Sequence, residues 1–160
     1  MTNKIVLATD GSPSAEDATR EALELAWAFG QPLIAVSVEH VTLPSYGYYG
    51  YSEIHAELHE TERAHVLGVL AETARLAEEA GVECETVACN GDVVDEVCRV
   101  AREQDARMIV VGAHGWGPIH RMVFGSVSTG VMHGAPCPVL IVPGTTADTR
   151  ARVHADVAAV

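Results

Sequence analysis

The sequence predicts an α/β fold: one doubly wound parallel sheet of five strands with helices on both faces. Three observations carry that expectation. Five short apolar runs rich in β-branched residues recur along the chain. The stretches between them space small and apolar residues at helical intervals, bounded by capping residues and glycines. Finally, 160 residues with 48% hydrophobic and 20% charged side chains suffice for one globular domain with its own core, and do not suit a disordered chain or a disulfide scaffold.

Lys4 to Thr9 (KIVLAT) is the first strand. It runs into Asp10-Gly11-Ser12-Pro13, where Ser12 is suited to cap a helix and Pro13 to open one. Ala15, Ala18, Ala22, Leu25, Ala26 and Phe29 then form a stripe that Gly30 ends, and its small residues permit close approach to a sheet. Leu33 to Val38 is the second strand. Thr42 to Ser52, with Pro44, two glycines and four tyrosines, breaks every period and reads as a loop. Its aromatic stretch, Tyr46 to Tyr51, could line a ligand or partner groove or pack on its own domain. Glu53 to Ala80 is a long polar helix with Ile54, Leu58, Leu67, Leu70, Ala74 and Ala77 on one face and Gly81 beyond its end. Val82 to Cys89 alternates as a strand with one wetter face, and Gly91-Asp92 opens a helix that turns Val94, Val97, Cys98 and Ala101 inward. Met108 to Val111 and Pro138 to Val142 are continuously apolar, as parallel strands covered on both faces are. Residues 1–144 make the domain, and 145–160 read as a polar tail.

The net charge of −12 repels a phosphate backbone, so broad nucleic-acid binding is not expected. The one lysine, Lys4, stands in the first apolar run, which excludes Walker-type NTPases and protein kinases. No apolar run is long enough to span a membrane. Cys84, Cys89, Cys98 and Cys137 lack any C-x-x-C spacing and read as inert thiols of a cytoplasmic protein.

From Ala106 through Ala147 there is no aspartate or glutamate, where the mean acid density of the chain would place about six. The same window holds Gly112-x-x-Gly115, nine residues, then Gly125-Ser126-Val127-Ser128. Gly112 closes an apolar strand, and ligands of open parallel sheets sit beyond the carboxyl ends of strands. Gly125 opens the next helix, where free N–H groups, the positive end of the dipole and two hydroxyls converge on an anion. The turn at Asp10 is the rival phosphate cradle, but Glu16, Asp17 and Glu21 already occupy the start of its helix. Phosphates are therefore expected on the second loop, leaving Asp10 to accept from a ribose hydroxyl or to hold Mg2+.

With these motifs on the page, the chain resembles the universal stress protein family. The matching residues are KIVLATDGS at the N-terminus, the helix stripe to Gly30, Gly91 with Ala101, VVGAHG at Val110 to Gly115, GSVS at Gly125 to Ser128, and APCPVLIVP at Ala135 to Pro143. The G-x2-G-x9-G-[ST] spacing is similar to that of the ATP-binding branch. The resemblance implies a Rossmann-like sheet of strand order 3-2-1-4-5 and an adenine nucleotide, with adenine near Val38 and ribose near Asp10. Phosphates would lie on Gly112, His114, Gly115, Gly125, Ser126, Val127 and Ser128; Thr9, Ser12 and Val111 flank these positions and complete the candidate set. A homodimer paired through Pro138 to Val142 is also implied. Arg107 and Ala113 depart from the family pattern, where aspartate and a hydroxyl residue are common.

His55, His59, Glu62 and His65 are read as a solvated helix face rather than a metal site. Within the glycine-rich loop, His114 and Arg121 are candidate phosphate contacts and Trp116 a hydrophobic anchor. Gly130 is expected to weaken the helix it lies in. The function expected is a stress-response binding module that responds to ATP. The alternatives are a slow ATPase or autophosphorylating enzyme using Ser126 or Ser128, and a nucleotide-free interaction module.

Overall fold

The computed structural model describes residues 4–40, 51–114 and 125–144, with the side chains of 51–55 excepted. The elements in chain order are β1 (Ile5–Ala8), α1 (Pro13–Phe29), β2 (Leu33–Glu39), α2 (Tyr51–Glu79), β3 (Cys84–Asn90), α3 (Val93–Glu103), β4 (Met108–Gly112), α4 (Ser126–Gly134) and β5 (Val139–Val142). The five strands form one sheet of order β3-β2-β1-β4-β5. All pairings are parallel, with Ala8 opposite both Val36 and Val111. The chain leaves β1 toward β2 on one side and returns to β4 on the other, so a crevice opens where the carboxyl ends of β1 and β4 diverge.

Period-two alternation sends neighbouring strand residues to opposite helical layers. Val6, Ala8, Ile34, Val36, Ile109 and Val111 pack with Val97 of α3 and Val131 of α4. Ile5, Leu7 and Val110 pack with Ala18, Ala22 and Ala26 of α1. Ala35 meets Val66 and Leu70 of α2. The alanines of α1 are the small stripe expected from the sequence, and Gly30 ends the helix in the left-handed region at φ 61°.

Several elements differ from expectation. Phe29 is not part of the buried stripe but lies exposed, with the Arg107 guanidinium 4.4 Å from its ring centroid. α2 begins at Tyr51 rather than Glu53, since Gly50 is the last helix breaker before it. Its buried line is Val66, Leu70, Thr73 and Ala77, while Leu58 and Leu67 are about half exposed (50% and 49%). β3 begins at Cys84 because the N–H of Val82 donates back to the Ala77 carbonyl and is spent closing α2. Gly130 has a packing reason: a Cβ there would stand 2.6 Å from Val94, so the glycine lets α4 lie against α3.

Candidate functional site

Beyond the carboxyl ends of β1, β2 and β4 lies a cavity of about 450 Å3, within the range of small-molecule sites. Thr9, Asp10, Val38, Val111, Gly112, His114, Gly125, Ser126, Val127 and Ser128 all line it. Residues from four separate stretches of chain thus converge, as the switch-point argument requires. Ser12 does not join them. It is fully buried, and its Oγ accepts the N–H of Ala15 at 3.3 Å, so it is the N-cap of α1 and not a ligand group. Gly115, with Trp116, His120 and Arg121, lies outside the described residues, as do residues 46–50 of the aromatic stretch and the 145–160 tail.

The hydrogen bonds change which amides can receive an anion. The N–H of Ala113 donates to the Val142 carbonyl at 2.8 Å, that of His114 to Ser14 Oγ at 3.3 Å, and that of Gly125 to the Ala113 carbonyl at 2.6 Å. These strand-end and loop amides are spent on holding β4, α1 and α4 together. Gly112 is likewise a packing glycine: its Cβ would stand 2.7 to 2.8 Å from Ser14, including Ser14 backbone atoms. The Ser128 hydroxyl hydrogen is spent on the backbone, its Oγ lying 3.1 Å from the Ala113 carbonyl and 3.0 Å from the Gly125 carbonyl. Of the two hydroxyls expected to converge on an anion, Ser126 remains and is exposed.

The first turn of α4 is where the donors are. Gly125 is its N-cap, no side chain among the described residues caps it, and no acidic residue stands in its first turn. The N–H groups of Ser126, Val127 and Ser128 belong to the set that no carbonyl of the same helix can satisfy. The other helix starts behave differently: Ser12 caps α1 with Glu16 in its first turn, and Asp92 caps α3 with Asp95 and Glu96. Among the described residues, α4 alone of these three starts without a side-chain cap or a first-turn acid, and its first three residues line the cavity.

Past the end of β1, the carboxylate of Asp10 accepts the Ser12 N–H at 2.9 Å. Glu62 and His65 of α2 line the cavity too, Glu62 half-buried and His65 exposed, as a solvated face allows. Their signal was available: Glu62 stands one turn before Val66 on the buried line of α2, so it continues that line past the end of the sheet. Among the described residues there is no group of three histidine, cysteine or acidic side chains able to hold a metal alone. A Mg2+ ion shared between Asp10 and ligand phosphates fits the residues present, because Mg2+ commonly takes one or two carboxylates together with phosphates. All four cysteines are free thiols, and burial pushes each of them above its ordinary range, which suits inert packing groups. No helix among the described residues is long and apolar enough to cross a membrane.

Comparison with known proteins places this geometry among relatives. The model of the universal stress protein family matches residues 1–143. A universal stress protein of Methanocaldococcus jannaschii is 33% identical over 143 residues, covering 87% of this chain and 81% of that protein. Among solved structures, a universal stress protein in complex with cAMP superposes with a TM-score of 0.67 at 28% identity, covering 89% of this chain and 98% of that one. The universal stress protein from Archaeoglobus fulgidus in complex with dAMP gives 0.61 at 27% identity, covering 89% and 99%.

Proposed function

From the premise that the chain belongs to the universal stress protein family, we propose that it binds ATP in the cavity at the sheet's switch point and serves as a stress-response regulatory module. The observation that carries this reading is the uncapped, acid-free start of α4 opening into a cavity that Val38 and Asp10 also line. The phosphates rest on the amides of Ser126, Val127 and Ser128, with the Ser126 hydroxyl adding a donor. Adenine packs against Val38 at the end of β2, and the ribose hydroxyls donate to Asp10. His114 and Gly115 complete the phosphate side, and Asp10 with the phosphates holds Mg2+. Support for a nucleotide comes also from relatives solved with cAMP and dAMP.

Occupancy, not turnover, is the proposed signal. β5 is an edge strand whose four residues are all half-buried and apolar, a face that a second copy pairing along Pro138 to Val142 would cover. Four free thiols suit a reducing, cytoplasmic setting. Calorimetric titration with ATP, AMP and GTP, each with and without Mg2+, tests the ligand. Saturable binding of ATP, strengthened by Mg2+ and stronger than that of GTP, is expected; absence of binding by every nucleotide would overturn the reading. Phosphate release at about 1 per second or faster, the scale of ordinary enzymes, would replace it with the ATPase alternative.

A further inference from the structure

We infer that His65 of α2 is a positioning residue for the ribose subsite: it clamps the main chain at Asp10 and so aims the Asp10 carboxylate at the sugar. The inference rests on the nucleotide reading above. Asp10 sits in the irregular stretch between β1 and α1, where no ladder of hydrogen bonds fixes the backbone. The peptide plane joining Asp10 to Gly11 is nevertheless held at both ends. Its N–H, that of Gly11, donates to Thr9 Oγ1 at 3.4 Å. Its carbonyl, that of Asp10, lies 3.0 Å from His65 Nε2. A carbonyl can only accept, so Nε2 carries the hydrogen and donates.

The first of these bonds is local, spanning two residues, as is the bond from the Ser12 N–H to Asp10 Oδ1. The bond from His65 spans fifty-five residues and ties the turn to α2, a helix that otherwise packs over β2 and β3. Gly11 shows how close that approach is. It adopts φ +74°, and a Cβ on it would stand 2.7 Å from Val69 and 3.8 Å from the His65 ring, so the turn is pressed against two successive turns of α2. His65 and Thr9 also border a second cavity of about 590 Å3 between α1 and α2, lined by Glu16, Arg20, Gly68 and Glu72 among others. The imidazole thus stands in the wall between the two spaces. Without it the Asp10 carbonyl loses its hydrogen bond to α2, the peptide plane gains room to rotate into the opened space, and the aim of the carboxylate is set by the local turn alone.

The test compares wild type, His65→Ala and His65→Gln, whose side-chain amide can still donate, in calorimetric titrations with ATP and with 2′,3′-dideoxy-ATP, which lacks both ribose hydroxyls. Wild type is expected to prefer ATP. His65→Ala should lose roughly three- to tenfold in ATP affinity, the scale of one hydrogen bond, and bind the dideoxy nucleotide as wild type does; His65→Gln should keep most of the preference. Equal weakening toward both nucleotides would show a merely structural role and overturn the inference, as would unchanged ATP affinity in His65→Ala or a wild type that does not distinguish the two. A wild type that binds neither nucleotide would instead overturn the nucleotide reading, and the inference with it.

Discussion

The starts of α1 and α4 stand on adjacent sides of one crevice, follow strands that pair with each other, and differ in every feature that decides whether a helix end can take an anion. At α1 the Ser12 hydroxyl accepts a first-turn N–H, the Asp10 carboxylate accepts the N–H of Ser12, and Glu16 sits against the positive end. At α4 the cap is a glycine, the first turn has no acid, and the only first-turn hydroxyl that is buried, that of Ser128, serves backbone carbonyls. One end is closed by its own side chains, and the other has no side-chain cap among the described residues. On the proposed reading, a molecule of net charge −12 makes an anion site by withholding caps and acids at one place, without any surplus of cations.

The largest effect is expected where the start of α1 packs on the end of β4. Gly112→Val places a side chain against Ser14 backbone atoms 2.8 Å away, which forces α1 off β4 and should cost about 3 kcal/mol of unfolding free energy in a urea titration. Ser126→Asp makes α4 resemble α1. It should lower ATP affinity tenfold or more by calorimetry, while raising the stability of the ligand-free protein by about 0.3–1 kcal/mol through the helix dipole. A variant that gained stability and kept its affinity would break the comparison. Ser12→Ala removes the α1 cap and should cost about 1 kcal/mol of stability with nucleotide affinity unchanged; a marked loss of affinity would return Ser12 to the binding site.

The smallest effect concerns α3, the other closed end. Hydrogen bonding to the Arg99 guanidinium, 2.6 Å away, holds the Glu96 carboxyl below the usual glutamate range. Its stabilisation is therefore full above the unfolded-state value of 4.5 and is lost as pH falls through the lower folded-state value. Both groups face solvent, so Glu96→Gln should shift the melting temperature less than Ser12→Ala at pH 7, and the difference from wild type should shrink at strongly acid pH.

The strands and caps were legible because each rests on local chemistry. MIVV and PVLIV read as buried strands, Ser12 and Asp92 as caps, and Gly30 as a left-handed stop, all from a few adjacent residues. The acid-free sequence around Gly125 also pointed to a helix whose start lines the cavity. What escaped was whatever depends on which elements meet. The inward face of α2 was read through Leu58, Leu67, Leu70 and Ala77; Leu70 and Ala77 are buried, but Val66 and Thr73 complete the line while Leu58 and Leu67 stay half exposed, so Glu62, one turn before Val66, was not assigned to the cavity. Gly112 was read as room for phosphate and is room for Ser14, a residue distant in sequence. The amides of His114 and Gly125 looked available because their acceptors, Ser14 Oγ and the Ala113 carbonyl, lie outside their own stretches of sequence.

The most direct test follows the backbone amides of the 15N-labelled protein by NMR while ATP is added. Saturable shifts largest at Ser126, Val127 and Ser128, with the Ser14 and Ala15 amides of α1 nearly unmoved, are the expected result. Saturable binding that leaves the three α4 amides in place, or that moves the start of α1 instead, would contradict it.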